Sequence, residues 1–237
     1  IGITGYFSLE SEDAMIASTK ALCDTWNTFK IGTTYTSLFC SSLGAWCLLL
    51  DRAPPIARQL AFSMQPKLVA YVEGNQLEMR VSAGEALAFL YELAERSRIN
   101  RFANHDHLCN ILAELASESS KSKAKKDKRV QKMSFRQVHA SIAEGEPPAL
   151  TIKLDREQLE LDSCTIKLIY DQLTELLRGG MRRQLKANPL LREVFDLGAP
   201  VEKTEEKVNK NERMAIQNSI NKMRDQVRSK QRDKRAC

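Results

Sequence analysis

Apolar residues recur every three or four positions over the first half of the chain, and this spacing constrains the fold more than any other feature. From about residue 9 to residue 118 the pattern is broken only by short polar or proline-containing stretches. Residues with this spacing lie along one stripe of an α-helix. Helices of this kind, joined by short loops, stack antiparallel into a bundle or into an armadillo- or HEAT-like solenoid. No fixed-period repeat is convincing, so the spacing alone leaves both arrangements open.

The breaks in this pattern define five predicted helices. Pro66 suits the first turn of a helix, so the third helix is expected to break just before it. The five cover residues 10–29, 35–51, 55–72, 77–97 and 105–117. Because the chain opens at Ile1 inside the pattern rather than with Met, we expect a helical domain of residues 1–118 that is truncated at its amino terminus.

The periodicity changes after a Gly-Glu-Pro-Pro break at residues 145–148. The stretches on either side of residues 155–157 alternate apolar and polar residues, which is the period of half-buried strands and predicts a β-hairpin. Before the break, Phe135, Val138 and Ile142 share one face of a short predicted helix. After the hairpin, further helices are predicted over residues 164–178, 181–186 and 189–195.

The predicted fold class is therefore mainly α. Armadillo- or HEAT-like antiparallel helical repeats are followed by a small, mostly helical domain with a β-hairpin, and then by a long basic C-terminal helix. The predicted domains are an armadillo-like helical domain at 1–118, a basic connector and helix at 119–146, a small α+β domain at 147–200, and a charged linker with the basic C-terminal helix at 201–237.

The formal charge of +6 conceals a strong segregation of charge along the chain. Residues 121–132 contain seven basic residues and one acidic residue, and residues 207–235 contain ten basic and three acidic ones, which leaves a net charge of −7 on the rest. An acidic body repels polyanions except where the basic segments face them, so nucleic-acid contact is restricted to chosen surfaces. The last segment has a weak apolar stripe that stops at Val227, and we expect its helix to form fully only against a partner.

The sequence contains no motif typical of catalysis. Six cysteines occur without a C-x-x-C pair, which predicts reduced thiols inside the cell. His105 and Cys109 share a helix face, but no second pair of ligands accompanies them, and packing explains the pair better than a metal. Gly179-Gly180 lacks the spacing of a phosphate-binding loop, so a left-handed Gly that ends a helix is the favoured interpretation. We therefore predict no enzymatic activity, cofactor or small-molecule substrate.

Several segments, in order, resemble the interferon-related developmental regulators. They are M-R-V-S-A-G-E-A-L-A-F-L-Y-E-L (79–93), S-K-S-K-A-K-K-D-K-R (120–129), F-R-Q-V (135–138), Y-D-Q-L-T-E-L-L-R-G-G-M (170–181), N-P-L-L-R-E-V-F-D-L-G-A-P (188–200) and R-S-K-Q-R-D-K-R-A (228–236). The resemblance covers the carboxy-terminal two thirds best, and the first seventy residues match only in helical character. Cys164 stands where the family pattern has a Trp.

The resemblance implies an armadillo-like fold and a non-enzymatic protein that represses translation by binding dormant ribosomes. In that role it occludes the tRNA sites and inserts its basic C-terminal helix in the mRNA channel, with rRNA and small-subunit proteins as partners and a cytoplasmic, ribosome-associated location. The alternative is a nuclear transcriptional co-regulator, a scaffold for co-repressor proteins. No apolar run is long enough for a bilayer, so no membrane partner is predicted.

Two sets of basic residues are the candidate sites for these roles. The candidate rRNA-binding residues are Lys121, Lys123, Lys125, Lys126, Lys128, Arg129, Lys132, Arg182 and Arg183. The candidate mRNA-channel residues are Lys222, Arg224, Arg228, Lys230, Arg232, Lys234 and Arg235. For either basic run, a solvated segment or a nuclear localisation signal is the competing interpretation.

Overall fold

The computed structural model of the chain is mainly helical and contains one small two-stranded sheet. It describes residues 2–8, 11–32, 34–99, 102–117, 125–155, 157–200, 211–212, 214–215 and 218–223. The elements are α1 (Gly2–Ser8), α2 (Glu12–Asn27), α3 (Thr36–Arg52), α4 (Pro55–Ser63), α5 (Gln65–Val72), α6 (Leu77–Arg96), α7 (His105–Ser117), α8 (Lys125–His139), β1 (Leu150–Leu154), β2 (Glu157–Leu161), α9 (Cys164–Leu177), α10 (Met181–Ala187) and α11 (Pro189–Val194). Within these described residues, no helix is both long and apolar enough to cross a membrane.

The contacts divide the chain into two compact units. Unit 1 comprises Ile1–Ala149 and Leu161–Arg178, and unit 2 comprises Leu150–Glu160 and Gly179–Cys237. Helix α9 therefore belongs with the helices that precede the hairpin, whereas the predicted α+β domain of residues 147–200 contains it. The predicted domain boundaries stay a prediction.

An aromatic cluster forms the centre of unit 1. Trp26 of α2, Phe39 and Trp46 of α3, and Tyr71 of α5 are each at most 2% exposed. The ring centroids of Trp26 and Trp46 lie 5.2 Å apart, and those of Phe39 and Tyr71 lie 4.6 Å apart. Tyr71 also donates a hydrogen bond from its hydroxyl to the backbone oxygen of Phe29, which satisfies its polar end. This cluster joins α2, α3 and α5 into one core.

Within unit 1, a carboxylate from another helix holds α9 in place. Glu92 of α6 accepts hydrogen bonds from the backbone nitrogens of Cys164 (2.6 Å) and Thr165 (3.3 Å), and from the Thr165 hydroxyl (2.6 Å). Ser163 adds the usual side-chain cap by accepting from the backbone nitrogen of Ile166 at 3.1 Å. An anion at a helix N-terminus is favoured by the helix dipole, so Glu92 both caps and anchors α9.

A buried arginine organises unit 2. Arg192 of α11 is 1% exposed, and its guanidinium pairs with both carboxylate oxygens of Glu157 on β2, at 2.8 and 3.0 Å. The same group donates to four backbone oxygens, those of Leu185, Leu197, Gly198 and Ala199. The guanidinium has five N–H donors at fixed angles, so at least one N–H of Nη2 is shared between two of the six acceptors. It therefore ties the hairpin, α10 and the segment that follows α11 to one point.

Most predicted elements occur close to their expected positions. The helix predicted over residues 105–117 has those bounds, and the break expected before Pro66 separates α4, which ends at Ser63, from α5, which begins at Gln65. The predicted hairpin is β1 and β2. Phe135, Val138 and Ile142 are all buried, as their shared spacing predicts.

Three local features differ from the sequence predictions. Helix α1 was not expected, because its two glycines lower helix propensity; it forms against α3, where a Cβ on Gly2 would meet Ala45. Helix α8 begins at Lys125, well before the predicted helix, and ends in a π-helical turn, Ala140–Glu144. The predicted left-handed Gly after α9 is wrong, because the positive φ of 48° falls on Arg178 and the glycines continue into a 3₁₀ turn.

Candidate nucleic-acid interface

Helix α8 carries most of the first basic segment and packs on α6 and α7. Its inner face is formed by Gln131, Phe135 and Val138, which are 0 to 4% exposed. Arg129 and Arg136 are exposed on the same helix. The helix forms despite its polarity because lysine and arginine have good helix propensity and because the three inner residues dock into unit 1.

A buried arginine of α6 fixes the position of α8. Arg80 is 7% exposed, and its Nε donates to the backbone oxygen of Val72 at 3.0 Å. Its Nη1 donates to Oε1 of Gln131 at 3.5 Å, and its guanidinium carbon lies 5.8 Å from the ring centroid of Phe135. Gly84, also on α6, leaves room for that ring, since a Cβ there would lie 3.0 Å from Phe135 Cε1. The basic helix is therefore held by a preorganised contact.

The candidate residues of the first basic segment are described to different extents. Arg129 is exposed and Lys132 is half-buried. The backbone of Lys125, Lys126 and Lys128 lies in α8, and their side chains are outside the described part of the structure. Lys121 and Lys123 also lie outside the described residues.

The two candidate arginines of α10 differ in their contacts. Both are exposed, but Arg182 donates from Nη2 to the backbone oxygen of Lys153 on β1 at 2.6 Å. Arg183 makes no hydrogen bond or ion pair with another described residue. On the same helix, Lys186 pairs with Asp155 at the hairpin turn at 2.5 Å. Arg183 is thus the α10 cation whose donors remain open to a phosphate, while Arg182 also supports the hairpin.

The second candidate set lies almost wholly outside the described residues. Lys222 is described, helical and exposed. Residues 211–212, 214–215 and 218–221 are helical as well. The predicted channel residues Arg224, Arg228, Lys230, Arg232, Lys234 and Arg235 fall among the residues that are not described.

The His105 and Cys109 pair is part of a packing network. His105 is 9% exposed; its Nδ1 lies 3.3 Å from the Tyr91 hydroxyl and its Nε2 lies 3.5 Å from the Cys109 sulfur. Among the described residues, no group of three or more His, Cys, Asp and Glu side chains is placed to hold a metal ion. The contacts with Tyr91 and with each other thus explain the positions of the His105 and Cys109 side chains.

The described cysteines are free thiols, and for Cys23, Cys47 and Cys164 burial opposes ionisation. Burial raises the pKa of Cys23 from 9.0 to about 11, and that of Cys164 to about 12, where the Glu92 carboxylate adds to the effect. Burial also raises the pKa of Cys47. Since the thiolate is the nucleophile, these side chains are poor candidates for covalent chemistry.

We expect Cys164 to be alkylated by iodoacetamide at about pH 8 at least ~100-fold more slowly in the native chain than in the urea-unfolded chain. Its raised pKa lowers the thiolate fraction, so the native rate should keep rising as the pH passes the ordinary thiol value. Mass spectrometry of the Cys164 peptide over time measures both rates. Equal rates in the two states would contradict the buried environment.

Comparison with known proteins finds two family models of one family along the chain. The family model described as "Interferon-related developmental regulator (IFRD)" matches residues 1–143, and the model described as "Interferon-related protein conserved region" matches residues 188–236. The first match corrects the expectation that the first seventy residues share only helical character with the family.

Named relatives agree with both family models. Interferon-related developmental regulator 1 of Mus musculus and that of Homo sapiens are each 37% identical to the chain over 227 residues, covering 92% of it and 48% of the relative. Interferon-related developmental regulator 2 of Mus musculus is 35% identical over 208 residues, covering 84% of the chain and 47% of the relative. The chain thus spans about half the length of these relatives. It belongs to the interferon-related developmental regulator family.

Proposed function

We propose that the chain is a non-enzymatic, ribosome-binding repressor of translation. Its two basic segments contact rRNA and the mRNA path, and its acidic remainder keeps polyanions away from other surfaces. Repression is steric: the folded units occupy the tRNA sites and the C-terminal helix fills the mRNA channel. The relatives are named as regulators, which agrees with a role without catalysis.

The docked basic helix α8 is the observation that carries this proposal. A solvated basic loop loses conformational entropy when it binds, whereas a helix already anchored through Phe135 and Gln131 loses less. Arg129 and Arg136 point away from that anchor and remain exposed. Aromatic side chains that could stack on bases are not exposed on α8, because Phe135 is 0% exposed. Contacts to phosphate and to RNA shape therefore suit it better than readout of bases.

When the chain is truncated after Asn221, we expect most of the protein to lose its association with ribosomes. The deleted segment carries seven basic residues against two acidic ones, and each phosphate contact contributes about 0.7 to 0.9 to the slope of log affinity against log salt. Sedimentation of lysate on sucrose gradients, at low and at moderate salt, compares the two forms. Wild type should run with the monosome peak at low salt and the truncated form should not. If both stay free of that peak at low salt, the proposal is wrong.

A matched pair of double variants tests the contribution of α8. Arg129→Gln with Arg136→Gln should weaken ribosome binding and lower the salt slope by about 1.4 to 1.8, the value for two lost phosphate contacts. Lys20→Gln with Lys30→Gln removes the same charge from exposed positions of α2 and the loop after it and should leave binding almost unchanged. Equal losses in both double variants would show that only net charge matters and would refute a role for α8.

A nuclear co-regulator role is a second candidate, favoured by a cavity of unit 1 whose lining includes Glu78, Glu85, Asp171 and Glu175. Such a cavity suits a protein segment better than a nucleic acid, because phosphates would face its carboxylates. In this case the first basic segment is an import signal. Replacing its basic residues by Gln would then move the protein to the cytosol without changing its association with ribosomes. Loss of ribosome association in the same variant favours the first proposal instead.

A further inference from the structure

Unit 1 contains a cavity of about 540 Å³ among α3, α6, α8, α9 and the π-helical turn. Its volume lies within the range of about 300 to 1,000 Å³ that is usual for ligand pockets. Leu43 of α3, Val81 of α6 and Leu168 of α9 provide apolar wall, and the amides of Gln137 and Gln172 provide polar groups. The cavity can therefore accept a mainly apolar group with a polar end.

The charged residues around the cavity are predominantly acidic. Glu78, Glu85, Asp171 and Glu175 line it together with a single cation, Lys167. Lys167 is already engaged, since its Nζ lies 2.9 Å from Glu85 Oε1 and 2.7 Å from Asp171 Oδ2. Glu78 and Glu175 are exposed and form no ion pair with a described residue. Their charge is available to a cation that enters.

A thiol inside the cavity experiences this negative field. Burial raises the pKa of Cys40, and the carboxylates of Glu78, Glu175 and Glu85 raise it further, against a lowering hydrogen bond from Ser82. Three carboxylates on two helices, α6 and α9, therefore act on one point of the cavity. The same field that disfavours a thiolate there favours a bound cation.

The wall formed by the π-helical turn departs from regular helix geometry. Residues Ala140–Glu144 form this turn, which ends at Gly145 in the left-handed conformation, with φ of 67°. Ser141, within the turn, lines the cavity. A π-helical turn displaces side chains from the positions that a regular helix imposes, and here it brings Ser141 to the cavity. This turn thus contributes a hydroxyl to the polar part of the cavity lining.

We propose that the cavity binds an arginine or lysine side chain within an apolar segment of a basic protein partner. The stem of such a side chain fits the apolar wall and its charged end fits the acidic rim. Nucleic acid is disfavoured there, because its phosphates would face the four carboxylates. This site is separate from the basic surfaces of the proposed ribosome contact, and binding at it does not depend on that function.

The test uses acetyl-Leu-Arg-Leu-Arg-amide and the same peptide with citrulline, a neutral analogue of arginine, at both arginine positions. Methyl resonances of Val81, Leu43 and Leu168 are followed by NMR during titration of the whole chain at low salt. The arginine peptide should shift these methyl signals and bind at least about tenfold more tightly than the citrulline peptide. A short oligouridylate should leave them unchanged.

Two charge-matched double variants locate the effect. Glu78→Gln with Glu175→Gln should abolish the preference for the arginine peptide, while Glu95→Gln with Glu114→Gln, at exposed positions of unit 1 outside the cavity, should keep it. Emission from Trp26 and Trp46 verifies that all variants are folded. The proposal is overturned if the two peptides bind equally, if the oligouridylate shifts the same methyl signals, or if both double variants lose the preference equally.

Discussion

Replacing Arg192 by Met is expected to lower the free energy of unfolding of unit 2 by about 3 to 5 kcal/mol. The substitution keeps the apolar stem and removes a guanidinium that makes six hydrogen bonds. Glu157, whose side chain is 14% exposed, would keep its charge without its partner. Four backbone oxygens would lose a donor as well, and buried acceptors without donors are costly.

Hydrogen exchange of unit 2 is the measurement that isolates this effect. Both tryptophans of the chain, Trp26 and Trp46, lie in unit 1, so their fluorescence does not follow unit 2. Unfolding of unit 2 is instead followed by the hydrogen exchange of the amides in β1, β2, α10 and α11. Arg183→Met, an exposed arginine on α10, is the matched control and should change stability by no more than about 0.5 kcal/mol. Similar exchange in the two variants would contradict the structural role of Arg192.

A double variant separates the lost interaction from the unpaired carboxylate. When Arg192→Met is combined with Glu157→Leu, no buried charge is left without a partner, and part of the stability should return. The four backbone oxygens would still lack their donor, so recovery should be incomplete. A double variant less stable than Arg192→Met alone would mean that Glu157 has other favourable contacts that outweigh its unpaired charge.

Replacing Trp26 by Ala is expected to destabilise unit 1 by about 3 to 5 kcal/mol. Trp26 is 0% exposed and touches three other rings, with centroid distances of 5.2 Å to Trp46, 6.3 Å to Tyr71 and 6.5 Å to Phe39. Its removal leaves a cavity where α2, α3 and α5 meet. Trp26→Phe should cost less, because the indole Nε1 has no acceptor among the described residues and only ring volume is lost.

Urea unfolding followed by the fluorescence of the remaining Trp46 and by far-UV circular dichroism measures this loss. Leu38→Ala is a suitable control, since Leu38 lies on the same helix as Trp46 and is 52% exposed. The free energy of unfolding of the Leu38→Ala variant should stay within about 0.5 kcal/mol of the wild-type value. If Trp26→Ala unfolds at the same urea concentration as Leu38→Ala, the aromatic cluster is not the centre of the core.

The elements that sequence predicts well are those whose own residues determine them. Helix α7 has a clear apolar stripe, and Pro66 marks the break between α4 and α5 without reference to the rest of the molecule. The first turns of α8 show no such stripe in the sequence, and the hydrogen bond from Arg80 of α6 to Gln131 of α8 cannot be read from it. The π-helical turn and the positive φ of Arg178 likewise leave no pattern in the sequence.

At the candidate sites, the sequence identifies some charged residues correctly, whereas the roles of others become visible only in the folded structure. The sequence identifies Arg129 and Arg183 as cations, and the structure adds that they are exposed. Arg192 looks equally exposed in the sequence, since arginines are almost never fully buried unless they are paired. Its partners come from a distant strand and from the chain after α11, and only the folded structure brings them together. The acidic rim of the cavity was missed for the same reason, because α6 and α9 contribute it jointly.

The position of α9 has a consequence for synthesis of the chain. Unit 1 is discontinuous: Leu161–Arg178 follows the hairpin segment that belongs to unit 2. Leu168 and Cys164 of α9 pack against the core that α3 and α6 form. In a nascent chain that extends only to Ala149, the part of the core that α9 covers therefore stays exposed to water. Unit 1 can be completed only after α9 has left the exit tunnel, and any recombinant fragment of this unit must extend through Arg178.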